Sequence, residues 1–291
     1  MQIPFFLVDT FASVPFAGAA TLVLLPPGPL PAEMHALVAA ELGARDAVYV
    51  SRQGGEYGLR FFDRGHELPL CTHAAIAAAH TIATAVDPGC TRVTLVTMTG
   101  PLVVSFEDGA LVTDLPRLPP GPCATPAALA RALRVPPSEV LRAGKYVAVY
   151  QDEGDLRALG DGLAALAGFE APGLIATAPG KAHDFVYRSF TIGPSSVEED
   201  QVSASAQSRL VPYWSNRFGH AALTAGQLSP RGAEMRCEDV DGRVRVSGCA
   251  VRVAEGAFHA GRASVRLRDP DGPPPATQAT PGTSTSASPR G

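Results

Sequence analysis

Short apolar runs alternate with glycine- and proline-marked turns along this chain, and most of the runs are too short for anything but strands. Ile3 to Val8 and Thr21 to Leu25 read as a strand pair around a turn at Pro15–Gly18. Ala47 to Ser51 and Tyr57 to Phe62 read as a second pair across Gln53-Gly54-Gly55. Val93 to Thr99, Pro101 to Phe106 and Ala110 to Asp114 form a meander whose last turn is Asp108-Gly109. The pattern predicts helices over 32–42, closed by Gly43, and over 74–85, an alanine-rich run that ends before Asp87-Pro88-Gly89.

Five prolines between Pro116 and Pro126 mark a linker, after which the pattern restarts. A helix is predicted over 127–134, a strand over 145–151, a helix over 155–168, a strand over 172–177 and alternating strands over 242–253. The restart is also a repeat. Residues 59–84 read Leu-Arg-Phe-Phe, Glu67, Cys71-Thr72-His73 and a helix; residues 187–218 read Tyr-Arg-Ser-Phe, Glu199, Ser203-Ala204-Ser205 and a helix. Each glutamate lies six residues before His73 or Ser205, and each copy leads to a glycine-marked hairpin, Thr99-Gly100 to Asp108-Gly109 and Arg231-Gly232 to Asp241-Gly242.

The fold class that follows is α+β, with two pseudosymmetric lobes, each a mixed sheet around a central helix, and a cleft between them. The first lobe is expected over 1–118, completed by a strand near 263–268, and the second over 119–262. Residues 269–291 are dominated by Pro, Thr, Ser and Gly and form a tail that cannot bury enough apolar surface to order itself.

Composition narrows the function. A net charge of −4 offers no basic face for nucleic acid. No run approaches the ~20 apolar residues of a membrane helix, which excludes a membrane partner of that kind and points to a cytoplasmic location. The five cysteines are odd in number and show no Cys-x-x-Cys spacing, so neither a disulfide framework nor a metal ribbon is expected. Only Lys145 and Lys181 are lysines, and every other basic residue is arginine.

The candidate chemistry sits at the two repeated helix starts. Free backbone N–H groups and the helix dipole make such starts anion sites, and two facing one ligand would hold a small-molecule carboxylate. His73 adds a titratable group to one start, and Ser203 and Ser205 add hydroxyls to the other. Cys71, just before a helix, is either a thiol activated by the dipole or a small buried apolar residue. Asp200 closes the run Glu198-Glu199-Asp200, in which buried carboxylates would raise one another's pKa.

The succession Val8-Asp9-Thr10-Phe11, Pro15-Phe16-Ala17-Gly18, Leu70-Cys71-Thr72-His73-Ala74, Glu199 to Ser205, Val211-Pro212-Tyr213-Trp214 and Gln227 to Gly232 resembles the PhzF-like isomerase family from about residue 3 to residue 258. The resemblance implies the diaminopimelate epimerase-like fold, a cofactor-free isomerase and a homodimer. It places the family's acid–base glutamate at Asp46, its histidine at His73, its aspartate at Asp200 and its serine at Ser205. Gly18, Cys71, Thr72, Ser203 and Ala204 become substrate-binding positions, and no metal is implied. Four departures stand out: the Gly-Asn-Pro signature is Gly18-Ala19-Ala20, the glutamate is Asp46, and the glycines before His73 and Ser205 are Thr72 and Ala204. The change at Asp46 retracts its carboxylate by about 1.5 Å, and the two added Cβ atoms narrow the cleft mouth.

Three functions follow in order. The first is a proton-shifting isomerase acting on a small unsaturated cyclic carboxylic acid in specialised-metabolite biosynthesis. The second is a binding protein that keeps the carboxylate cleft without turnover. The third is an epimerase that uses Cys71, which Ser203 opposite it disfavours.

Overall fold

A computed structural model describes residues 1–30, 32–41 and 43–259; the strand expected near 263–268 and the tail at 269–291 lie outside them. The N-terminal strand pair is β1 (Gln2–Thr10) and β2 (Ala19–Leu24), followed by α1 (Ala32–Glu41) and the hairpin β3 (Asp46–Gln53) and β4 (Glu56–Asp63). A short strand β5 (His66–Leu68) leads into α2 (Thr72–Thr81), and the meander is β6 (Arg92–Thr97), β7 (Gly100–Glu107) and β8 (Ala110–Pro116). The predicted helix over 74–85 therefore starts two residues early, and beyond Thr81 it widens into a looser turn over Ile82–Val86.

After the prolines come β9 (Gly121–Pro122), α3 (Ala127–Ala132), the hairpin β10 (Glu139–Ala143) and β11 (Lys145–Val149), then α4 (Glu153–Arg157) and β12 (Gly173–Pro179). The chain continues through β13 (Phe185–Ile192), β14 (Val197–Glu199), a 3₁₀ turn at Ala204–Ala206 and α5 (Gln207–Phe218). The described residues close with β15 (Ala222–Gln227), β16 (Ala233–Val240), β17 (Arg243–Gly248) and β18 (Ala250–His259).

One expectation changes here. The helix predicted over 155–168 is two short pieces, α4 and a 3₁₀ turn at Asp161–Leu166. The reason is Gly162, which brings that turn so close to α3 that a Cβ there would lie 2.5 Å from the Ala132 carbonyl. β18 also pairs with β1, from Gln2–His259 to Thr10–Ala250 with a bulge between Leu7 and Val8, within the stretch first assigned to the second lobe.

The strand pairings repeat in order. β2–β3 is parallel, β3–β4 antiparallel, β4–β6 parallel, and β6–β7–β8 antiparallel. β11–β12 is parallel, β12–β13 antiparallel, β13–β15 parallel, and β15–β16–β17 antiparallel. The two runs meet where β8 pairs with β17. Residues Gln2–His259 form one compact unit, and among the described residues no helix is long and apolar enough to cross a membrane.

Each run curls around its helix for a compositional reason. Ala74 to Ala79 of α2 are at most 1% exposed, because a helix apolar on every side must be covered on every side. Its alanines keep the helix thin enough for β1, β2, β3 and β6 to pack on it. On α5 the buried side is Leu210, Val211 and Trp214, while Asn216 and Arg217 face water. Trp214 is fully buried, stacks on Phe185 and donates from Nε1 to Thr177 Oγ1 at 2.9 Å.

Ala77→Leu, which forces three carbons into this sheath, should therefore lower the free energy of unfolding by about 1–3 kcal/mol or more. Ala85→Leu, at an exposed position, should change it by less than about 0.5 kcal/mol. Urea denaturation followed by tryptophan fluorescence checks both.

Candidate active site

The repeated arginine and glutamate prove to be a pair in each copy. Arg60 Nε and Nη2 both reach Glu67 at 2.7 Å, and Arg188 reaches Glu199 at 2.7 and 2.9 Å. In the first copy Phe62 pairs with Glu67 across β4–β5; in the second Phe190 pairs with Glu199 across β13–β14. A bidentate fork between neighbouring strands fixes the loop that follows, and in both copies that loop delivers a helix start.

On the first wall, the loop delivers Cys71, Thr72 and His73, while β3 begins at Asp46, opposite Asp63 on β4. Cys71 holds an extended backbone at the helix cap and makes no side-chain cap hydrogen bond, so the first N–H groups of α2 remain open to a ligand. His73 Nε2 lies 3.3 Å from Asp46 Oδ2 and 3.3 Å from Cys71 Sγ. The His73 and Asp46 side chains are only 13% and 10% exposed.

Burial alone would push the Asp46 carboxyl up, but the His73 hydrogen bond and charge, with Arg45 and Arg64, outweigh it and hold Asp46 below the usual carboxylate range. Burial alone would push His73 down; Cys71 and Asp46 reverse this and hold it well above an ordinary histidine. Asp63 moves the other way: burial and the neighbouring Asp46 raise it against Arg45 and Arg64. The wall thus combines a carboxyl held low at Asp46, an imidazole held high at His73 and a second carboxyl, Asp63, pushed up.

On the second wall, Asp200 accepts hydrogen bonds from Ser189 Oγ and Thr191 Oγ1, both at 2.8 Å. Buried Gln227 clamps the loop, donating from Nε2 to the Asp200 carbonyl and accepting the Ser203 N–H, both at 2.7 Å. Tyr187 Oη donates to the Ser203 carbonyl at 3.2 Å, and Ser229 Oγ to the Gln201 carbonyl at 2.6 Å. The carboxylates of Glu198, Glu199 and Asp200 do not share a site as the sequence suggests. Glu198 pairs with Arg64 and Arg45, Glu199 with Arg188, and Asp200 with the two hydroxyls and, at 3.8 Å, Lys145; extended backbone in β14 turns successive side chains to opposite faces.

The two walls enclose one cavity of about 270 Å³. Asp46, Cys71, Thr72, His73, Asp200, Ser203, Ala204 and Ser205 all line it. Gly18 is not among the lining residues. It sits at φ +66°, where a Cβ would collide with the Thr10 carbonyl, and Arg231 Nε donates to its own carbonyl at 2.7 Å. Arg231 also reaches Asp9 Oδ1 at 2.7 Å, so Gly18 and the Gln227–Gly232 stretch join loops rather than touch the cleft. Arg45, Asp63 and Lys145 line the cavity without having been singled out; of these only Lys145 left a signal, its rarity. A larger depression of about 450 Å³, lined by Phe11, His183, Glu234 and Cys249 among others, shares no residue with the cleft.

The Asp46–His73 contact has a pH signature. His73 is raised above 6.5, so its stabilising contribution is complete below that value and fades as pH climbs through its folded-state pKa. Asp46 is lowered from 3.8, so its contribution is present above that value and is lost as pH falls through its folded-state pKa. In a ¹H–¹³C titration the His73 ring should change charge above pH 6.5, and Asp46→Asn should lower that midpoint. A parent midpoint at or below 6.5 would contradict the coupling.

Residues 8–129 match the family model described as phenazine biosynthesis-like protein. An uncharacterized isomerase of Pseudomonas aeruginosa is 37% identical over 257 residues, covering 88% of this chain and 98% of its own. The phenazine biosynthesis-like domain-containing protein of Bos taurus is 30% identical, over 89% of this chain and all of its own. A crystal structure of a PhzF-family phenazine biosynthesis protein from Enterococcus faecalis superposes with a TM-score of 0.85 at 29% identity, over 89% of this chain and all of that one. Together with the mixed sheets and the cleft between two helix starts, these matches show that the chain belongs to the PhzF-like phenazine biosynthesis family and is an isomerase.

Proposed function

We propose that the protein moves a proton along a small unsaturated cyclic carboxylic acid, without a cofactor, in a cleft between two pseudosymmetric lobes. The observation that carries this reading is the Asp46 carboxylate held 3.3 Å from His73 Nε2 inside a cavity lined by both helix starts. At about 270 Å³, the cavity falls below the range that holds drug-sized ligands, which suits a single ring bearing a carboxylate. A substrate of this kind accords with specialised metabolism.

The N–H groups at Thr72–His73 and Ala204–Ser205 receive the substrate carboxylate, and the Ser203 and Ser205 hydroxyls orient it. Asp46, anionic at neutral pH, takes a proton from an acidic ring carbon; the C–H electron pair enters the conjugated system and the charge spreads toward the carboxylate. His73 as imidazolium and the helix-start N–H groups stabilise that charge as it develops. Asp46 then returns the proton to a second carbon, so the product is an isomer with nothing oxidised or reduced. A carboxylate with a lowered pKa is a weak base. The reaction therefore needs a carbon acidified by conjugation, which an unsaturated acid supplies.

Hydrogen–deuterium exchange at the ring carbons of a panel of unsaturated cyclic amino acids, followed by NMR in D₂O, tests the assignment. Asp46→Asn keeps the shape and removes the base, so exchange and conversion should fall at least a hundredfold while binding persists. Undiminished exchange would sink the proposal. Cys71 Sγ lies as near His73 as Asp46 does, which keeps the thiol-based epimerase in view. Cys71→Ser should retain turnover within about tenfold if Asp46 is the base, whereas a thiol base would lose turnover entirely.

A further inference from the structure

Lys145 is the first residue of β11, one position before the Tyr146–Leu174 pair with β12, so its neighbour across the sheet is Gly173. That glycine is buried and does not need its backbone freedom. What it needs is the absence of a side chain, because a Cβ there would lie 2.9 Å from Lys145 Cε, 3.0 Å from Cδ and 2.5 Å from the Phe190 carbonyl. The lysine stem thus lies in the space left open at Gly173, and Lys145 lines the cavity.

The repeat shows what this gap replaces. Gly173 pairs with Thr191 as Asp46 pairs with Asp63, and Thr21 stands beside Asp46 as Lys145 stands beside Gly173. The first copy places a carboxylate on the middle strand and a short side chain beside it; the second places nothing on the middle strand and a cation beside it. Base and cation therefore enter the cleft from adjacent strands of the repeat, the base from the middle strand of one copy and the cation from the strand beside it in the other.

The ammonium is tied to the chain by one long ion pair, with Asp200 Oδ2 at 3.8 Å, beyond hydrogen-bonding distance. Both Asp200 oxygens already accept hydroxyl hydrogen bonds at 2.8 Å. Among the described residues, Lys145 donates no hydrogen bond, although its side chain is only 20% exposed. A compact ammonium on a slender stem fits such a space where a planar guanidinium does not.

We infer that Lys145 is a substrate-binding residue that receives a second anionic oxygen group, so the substrate class is a ring acid bearing two acidic groups. This rests on the carboxylate-cleft reading above. The helix starts take one group, Lys145 takes the other, and the ring between them turns its edge to Asp46.

Isothermal titration of the parent chain and Lys145→Met with benzoate, phthalate and isophthalate tests the assignment. At least one dicarboxylate should bind the parent about tenfold more tightly than benzoate. Lys145→Met should abolish that preference and leave the benzoate Kd within twofold, which also shows that the variant is folded. Dicarboxylates that bind the parent no better than benzoate, or a preference that survives in Lys145→Met, would overturn the inference while leaving the cleft a carboxylate site. If the parent binds none of the three, the carboxylate-cleft reading itself falls, and the inference falls with it.

Discussion

The architecture follows from the need to bury a helix that has no polar face. Ala74 to Ala79 cannot meet water on any side without cost, so strands cover α2 all round. A helix sheathed along its length is reached only at its ends, and at the N-terminal end the backbone N–H groups have no partners within the helix. Burial thus creates the anion site: wrapping the helix for hydrophobic reasons leaves its positive end at the rim. The second copy reaches the same result less completely, since α5 keeps a wet face and begins with a 3₁₀ turn. There Gln227 and Tyr187 supply the order that full burial supplies in the first copy.

Geometry in the repeat is conserved by a charged device that stays out of the cleft. Arg60–Glu67 and Arg188–Glu199 occupy equivalent places, and each fork sets where the next loop leaves the sheet. The pairs are partly exposed, so their contribution to stability is small. Their worth is directional, because two parallel hydrogen bonds fix an angle as well as a distance. Within that shared frame the cleft residues differ: Asp63 corresponds to Thr191, Leu68 to Asp200, Cys71 to Ser203 and His73 to Ser205 in the repeat.

How much of this was legible in the sequence depended on range. The strand pairs, the alanine helix and the repeat all express local periodicity, and the structure contains them. Eight of the nine site positions line one cavity: the repeat carried the spacing of seven, and Asp46 came from the family resemblance. Gly18 does not, since its glycine answers to a left-handed turn against the Thr10 carbonyl, a contact that residue identity alone does not distinguish from ligand binding. The helix over 155–168 failed because Gly162 serves a close approach to α3 from thirty residues earlier. Lys145 escaped notice for a similar reason, since its meaning lies in the missing side chain of Gly173 on a different strand.

The shorter acid at Asp46 takes on a different sense once its partner is visible. A retracted carboxylate would lose reach if it acted alone, and a loss of about 1 Å is expensive in rate. Here it is within contact of His73, which projects from the helix start into the same cavity. The proton that a longer side chain would carry to the substrate by itself has a second group beside it that holds a proton near neutral pH. The departures at Thr72 and Ala204 narrow the space from both sides without removing a single backbone donor. Retraction and narrowing act together: a substrate of the proposed kind, pressed toward Asp46 by the added Cβ atoms, needs less reach from it.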